Sequence, residues 1–559
     1  MAADKLAGLL RAAEVARDRR AAWVGISLAS VALLTALLAL SSHGGGHLWN
    51  SWRAHRLQSP RLQPPQMPWR PLLTAEERDQ GVAHYGGGAR LRSVAAKLLA
   101  GQPIKAYAVG GSVTYGHGVE DPSLAYPSLF FRHINVSFPH RAWRVPARRE
   151  AGVSRRAITA AGHRDGAVGR GGAVSAPTAF SRPPCGTGGH VLSNRGLPGS
   201  TSGITAPCVH GMVAADADLV VVEFSTNDSP AGWTSGGKHG FEALLRTLLA
   251  LPGRPAVVLL HHYAWWKAAG DGRSAGLYYR EPEVQLETFA LYYDLPSLSL
   301  KAATWRLMEA GVEGFKVDGV LSRGSRDGVT GEPIPAAAPR RASSYLYLDT
   351  IHPGPNGHQV LAELLAGLLG RAVSEVAGGR TPAARWHPRL QGLPPPMIPN
   401  FPDSRASLCI QLEAFRGVVR HQRGFSYSPE KPLLPRFEEQ KWGWSAEQPG
   451  AWLELEVDTR QPRGQPQARR TEVQLGHLRS NFNMGTALVK CAAGCRCRPS
   501  VLGGTSASRA TVFRAHAFQV SQHARCRLRV TVRQQPGMVP EEGHKVMLAA
   551  VAVTHQLGD

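Results

Sequence analysis

The sequence predicts an α/β protein, a parallel sheet flanked by helices, with a C-terminal β-sandwich domain and an N-terminal transmembrane helix. Three observations carry that expectation. Between residues 104 and 371 short β-branched runs alternate with helical stretches, the rhythm of a parallel sheet covered on both faces. From residue 401 onward the chain turns to short apolar or alternating runs separated by turn residues, as in a sandwich. Residues 21–40 form one uncharged apolar run, which as a helix rising about 1.5 Å per residue would cover about 30 Å, the hydrocarbon thickness of a bilayer.

Taken in order, residues 1–20 read as a cytoplasmic tail, because Arg11, Arg17, Arg19 and Arg20 precede the apolar run. The run itself reads as an uncleaved signal-anchor; a cleaved signal peptide is the competitor, since Ala-Leu-Ser-Ser ends it. Either version puts the rest of the chain in the lumen of the secretory pathway, such as the Golgi, or outside the cell. Residues 41–75, rich in His, Gly, Pro, Arg and Gln, read as a stalk. The α/β domain is expected over 76–372. A helical stretch around Leu91–Leu99 leads to a buried strand, Ile104–Val109, and Leu124–Phe138 makes the next helix, carrying an Asn135-Val-Ser glycosylation sequon.

Residues 144–189 interrupt this rhythm. Arg, Gly and Ala dominate and no apolar period is sustained, so the segment cannot bury enough surface to offset its ordering entropy. It reads as a disordered insertion or as a stretch absent from the mature chain. Beyond it, Leu219–Phe224 and Ala256–His261 are apolar strands, and Phe241–Leu251, Pro282–Tyr293 and Ala302–Ala310 are helical, with Leu295–Leu300 extended between the last two. Gly314–Ala342 is expected to loop over the site, and the helix 357–371 closes the domain. A Pro-rich linker occupies 373–400, and the β-sandwich is expected over 401–559, with strands at 451–457, 471–475, 510–513, 526–532 and 546–553.

Composition narrows the function classes. The chain has 559 residues and a net charge of +23, from 64 Lys and Arg against 41 Asp and Glu. The arginines are dispersed through Pro/Gly/Ala-rich segments instead of lining one helix, so no nucleic-acid partner is expected. Five of the seven cysteines, Cys409, Cys491, Cys495, Cys497 and Cys526, lie in the sandwich region. Their spacing is not that of a zinc site, so disulfides are expected, with an odd thiol left free or paired with Cys208. No metal and no cofactor are expected, because His-Glu-x-x-His and paired Cys-x-x-Cys patterns are missing.

Four segments carry chemistry. Ala108-Val-Gly-Gly-Ser-Val-Thr-Tyr-Gly-His-Gly118 turns sharply at a strand's C-terminal end, where ligands sit in open α/β sheets, and presents Ser112 there. Asn194-Arg-Gly-Leu-Pro-Gly-Ser-Thr-Ser202 is a loop whose Gly199 can bring a backbone N–H to a substrate oxygen. Asp218-Leu-Val-Val-Val-Glu-Phe-Ser-Thr-Asn-Asp228 ends a strand in a polar turn carrying Asn227. Asp349-Thr-Ile-His-Pro-Gly-Pro-Asn-Gly-His358 places Asp349 and His352 just before a helix. Each has a plain alternative: a Gly-rich turn, an Asx turn or sequon at Asn227, a surface histidine at 352. His117, His261, His262 and His358 read as strand-end or pocket residues and not as metal ligands.

In order and spacing these segments resemble the four blocks of the SGNH (GDSL-like) hydrolases, over roughly residues 100–372, although the usual Gly-Asp-Ser is Gly110-Gly111-Ser112 here. Leu475–Gly485 resembles the C-terminal part of plant- and algal-type members. The resemblance implies a catalytic triad of Ser112, Asp349 and His352, with an oxyanion hole from the Ser112 and Gly199 N–H groups and the Asn227 amide. That chemistry is coherent: a hydroxyl becomes nucleophilic when an imidazole takes its proton, and fixed donors catch the developing charge. The expected function is a membrane-anchored serine esterase that cleaves an O-acyl ester, an acetyl on a glycan first among them. The partners expected are an acylated carbohydrate or small ester and, through the N-terminal helix, a membrane; the oligomeric state is left open. A polysaccharide O-acetyltransferase using the same triad, a non-catalytic carbohydrate-binding protein with a degenerate hydrolase domain, and a lipase or thioesterase are the alternatives.

Overall fold

The computed structural model describes residues 66–140, 189–228, 232–233, 236–266, 278, 282–327, 331–381, 392–399, 404–430, 441–464, 468–506, 511–536 and 543–557. The expected transmembrane run, the cytoplasmic tail, most of the stalk and nearly all of the 144–189 insertion lie outside the described residues. Among the described residues no helix is long and apolar enough to cross a membrane.

The first half is an α/β layer around a six-stranded sheet. Its strands are β1 Val82–His84, β2 Lys105–Gly110, β3 Val191–Gly196, β4 Leu219–Glu223, β5 Ala256–His261 and β6 Ser297–Ser299, in the order β1-β6-β5-β4-β2-β3. β3, β2, β4, β5 and β6 run parallel, and β1 closes the edge antiparallel to β6. The central strands β4 and β5 are buried along their whole length, as their unbroken apolar runs require when helices cover both faces. Helices Ala89–Leu99, Tyr126–Ser137 and Pro355–Ala377 pack on one face, and Gly236–Leu249 and Glu283–Tyr293 on the other.

Two parts of this sheet depart from the sequence reading. The sheet is mixed, since β1 is antiparallel; three residues, Val-Ala-His, are too short to show a period. The Asn194–Ser202 segment is not all loop, because its start belongs to β3, an edge strand with polar residues that hide it. The expected loop over the site, 314–342, runs beside the triad segment instead: Leu346 N–H bonds Lys316 O, and Leu321 N–H bonds Tyr347 O.

The second half is two packed antiparallel sheets. Its strands are β7 Ser404–Gln411, β8 Val419–Arg423, β9 Ser426–Pro429, β10 Trp442–Ala446, β11 Trp452–Val457, β12 Ala468–Arg479, β13 Gly485–Ala493, β14 Ser500–Gly503, β15 Val512–Val520, β16 Cys526–Pro536 and β17 Val546–Leu557. One sheet runs β15-β12-β17-β10-β9, with β7 also on β17; the other runs β14-β13-β16-β11-β8. Inward apolar residues such as Leu453, Leu455, Val473, Val489, Leu528, Val530 and Val551 fill the space between them.

The two halves share more than a linker. Cys208, beside the α/β sheet, is bonded to Cys409 of β7; the other disulfides, Cys491–Cys497 and Cys495–Cys526, lie within the sandwich. A small apolar cluster of Ile204, Leu478, Met484, Phe513, Met547 and Ala549 straddles the junction.

Candidate active site

The site forms at the C-terminal end of β2, next to β3 and β4. Gly110 and Gly111 are required there for space: a Cβ at 110 would overlap Thr114 Oγ1, and one at 111 would overlap the Asn227 amide nitrogen. The Gly-Gly-Ser departure thus has a local cause, since the Asn227 side chain occupies the room that a side chain at 111 would need. Ser112 opens a helical turn, Ser112–Tyr115, so its N–H has no carbonyl one turn behind it.

His352 Nε2 lies 2.9 Å from Ser112 Oγ. Its Nδ1 faces Asp349 at 2.8 Å to Oδ2 and 3.1 Å to Oδ1. Asp349 Oδ1 also accepts the N–H groups of Ile351 and His352, each at 2.7 Å. The Asp-x-x-His spacing therefore folds on itself, the carboxylate fixing both the ring and the backbone that carries it. Burial pushes the Asp349 carboxyl upward, but the His352 ring and these hydrogen bonds outweigh it and hold the group well below the usual carboxylate range. With Nδ1–H committed to Asp349, Nε2 is free to accept the Ser112 proton.

Three histidines surround this line. His117 stacks on His352 with ring centroids 3.8 Å apart, and burial, with His352 next, pushes it down to about 3. His358 donates from Nε2 to the His117 carbonyl at 3.0 Å and accepts Tyr126 N–H at Nδ1. His262 donates to the Ile351 carbonyl at 2.8 Å. Burial lowers His358 to about 4 and His262 to about 3, so both are neutral braces behind the triad. His117, Asp349 and His352 offer atoms close enough for a cation, yet both nitrogens of His352 are already engaged, with Ser112 and with Asp349.

The two loops expected to supply oxyanion donors, those of Gly199 and Asn227, pack against the Gly110–Gly111 turn. Asn227 Nδ2 donates one hydrogen to Ser200 O at 2.8 Å, which orients the amide and leaves a second hydrogen. Ser200 Oγ in turn donates to Gly110 O at 3.1 Å, and Leu197 N–H bonds the same carbonyl at 2.9 Å. Gly199 has φ +73°, a left-handed conformation that glycine adopts at little cost, and a Cβ there would come within 2.6 Å of Lys441 Cε. Asp228, after Asn227, accepts Ser202 N–H at 3.0 Å and Ser202 Oγ–H at 2.6 Å, locking the two loops together.

The sequence reading did not find Glu223, Lys441 or Arg514. Glu223 is 1% exposed beneath the Ser112 turn, and burial pushes its carboxyl up to about 7. A single acid inside an apolar strand run was the signal available for it. Lys441, paired with Glu430 at 3.0 Å, and Arg514, donating to Asn227 O at 3.0 Å, come from the sandwich. Nothing in the sequence pattern tied either to Ser112.

No protein-family model and no curated protein matches this sequence. Among solved structures, a two-domain esterase active on acetylated mannans is 16% identical, with TM-score 0.49, covering 86% of this chain and 99% of its own. A possible lipase from Chitinophaga pinensis is also 16% identical, with TM-score 0.25, over 47% of this chain and 96% of its own. A carbohydrate-binding module from a Cellvibrio mixtus lichenase is 10% identical, with TM-score 0.18, over 26% of this chain and 96% of its own.

Proposed function

We propose that the protein is a serine esterase of SGNH type that removes a short O-acyl group, such as acetyl, from a glycan. The observation that carries this reading is the unbroken hydrogen-bonded line from Ser112 through His352 to Asp349. Ser112 attacks the acyl carbonyl while His352 takes its proton; Asp349 holds the tautomer and stabilises the imidazolium. The tetrahedral oxyanion is received by the Ser112 and Gly199 N–H groups and the Asn227 amide. His352 then returns the proton to the leaving sugar oxygen, and water, activated by the same ring, hydrolyses the acyl-enzyme.

A short acyl group fits the polar surroundings of Ser112: the Asn227 amide lies against Gly111 and His117 packs on His352. We place the enzyme in the secretory route, anchored by the 21–40 run with its catalytic half on the luminal or outer side. Three disulfides among the described residues support an oxidising compartment.

Purified protein lacking residues 1–63 should hydrolyse p-nitrophenyl acetate. Ser112→Ala and His352→Ala should each reduce kcat by about 10⁶-fold with the fold intact, and Asp349→Asn by about 10⁴-fold. Variants matching the wild type would overturn the assignment. Adding de-acetylated glycan should leave the rate unchanged; acceleration with acetyl appearing on the acceptor would point to a transferase.

A further inference from the structure

We propose that the C-terminal sandwich is a working part of the active site, with Arg514 as the positioning residue that holds the Asn227 loop of the oxyanion hole in place. This inference rests on the esterase reading above. Strand β15 enters the junction with Phe513 and Arg514 as consecutive residues. Successive strand side chains point to opposite faces, and here the two faces do different jobs.

Phe513 joins the apolar cluster at the junction while its backbone grips the Gly199 loop: Phe513 N–H donates to Gly199 O at 2.7 Å, and Thr201 Oγ1 donates to Phe513 O at 3.2 Å. The stem of Lys441, just before β10, fills the space above the Gly199 Cα, its ammonium held by Glu430. Arg514 reaches the other loop and donates from Nη2 to Asn227 O at 3.0 Å. Burial pushes the Asp228 carboxyl up and the Arg514 guanidinium down, and the attraction between the two offsets part of both penalties. Both donors that the α/β half contributes from outside the Ser112 turn, Gly199 and Asn227, are therefore braced from a strand about 300 residues further along the chain.

Arginine suits the task because its charge persists and its planar fork can serve the Asn227 carbonyl and the Asp228 field together. Its removal leaves Ser112, His352 and Asp349 untouched and loosens the hole alone. The penalty should then fall on the transition state, not on substrate binding.

The test compares full-length wild type, Ser112→Ala, Arg514→Met and Arg514→Lys on p-nitrophenyl acetate. Rates of wild type and the two Arg514 variants are normalised to Ser112 titrated with a phosphonylating reagent, and Ser112→Ala, compared per mole of protein, gives the background. Arg514→Met should lose about 10²-fold in kcat with KM nearly unchanged, and Arg514→Lys about tenfold. A methylboronic acid, which forms a tetrahedral adduct with serine, should bind both variants more weakly, in proportion to the loss in kcat. A merely structural role would change the titrated fraction and leave kcat per titrated site and boronate affinity alone; that result overturns the proposal. Should Arg514→Met fail to fold, Arg514→Lys carries the same comparison. Failure of the esterase reading looks different: wild type and Ser112→Ala would then be equally inactive or equally active.

Discussion

Glu223 shows what one misplaced charge does at the residue scale. It ends β4 and sits beneath the Ser112 turn, accepting from Ser225 Oγ at 3.3 Å, with His261, Asp228 and Tyr126 among the titratable groups near it. Burial raises its carboxyl from the ordinary 4.5 to about 7. Between those values the unfolded chain has released the proton and the folded chain keeps it. Stability from this group is therefore full below about pH 4.5 and falls as pH rises to about 7, by about 3 kcal/mol at most. Glu223→Gln should remove that loss. Urea midpoints at pH 5 and pH 8 should show the variant gaining on wild type at the higher pH; an equal difference at both would sink the idea. The pairing of Asp349 with His352 was legible because the two make a local turn whose spacing is itself the geometry. Gly111 was legible as a departure from the usual Gly-Asp-Ser, but its reason was not. That reason is a side chain more than 100 residues away, and only folding brings Asn227 over it.

At the scale of elements the same contrast between local and distant causes holds. β4 and β5 announced themselves as continuous apolar runs, and the helix Pro355–Ala377 by its long apolar period behind a proline at its start. β3 and β8 did not, because an edge strand with one wet face carries polar residues, and its pairing is decided by the neighbour it meets. The helix Pro355–Ala377 does more than cover the sheet. Its first turn presses on the loop that carries His352: a Cβ at Gly357 would lie 2.6 Å from Pro353 Cβ and 2.9 Å from Leu346 O. Pro353 follows His352 directly, so a displaced Pro353 would carry the His352 ring with it. Gly357→Ala should force the turn outward, costing about 1–3 kcal/mol in stability and about tenfold in kcat through a longer His352–Ser112 distance. A thermal melt and kcat measured together check it. Unchanged kcat with a lowered melting point would show that the helix supports the fold without setting the base.

For the whole molecule, the question is whether two halves joined by a linker are one catalytic body. The proposed triad and oxyanion donors all precede residue 359, so a reading from sequence places the chemistry in the first half and treats the sandwich as an appendage. The contacts argue otherwise. Ile204 of the first half completes an apolar cluster whose other members, Leu478, Met484, Phe513, Met547 and Ala549, belong to the second, and Cys208 is bonded to Cys409 across the junction. A disulfide that closes a loop of 201 residues removes much of the unfolded chain's freedom, worth about 5 kcal/mol in the chain-entropy limit. It also tethers the halves once the backbone between them is cut. A protease site inserted within residues 382–391 provides that cut. Cleaved protein should migrate as one species without reductant and keep its esterase rate, since junction and tether both persist. Adding reductant should separate the pieces and abolish activity, although every triad residue remains in the N-terminal piece. The same cut in a Cys208→Ser, Cys409→Ser double variant should abolish activity without reductant, which excludes an effect of the reductant on the sandwich's own disulfides. An N-terminal piece that turns over substrate alone at the intact rate would return the sandwich to the status of an appendage.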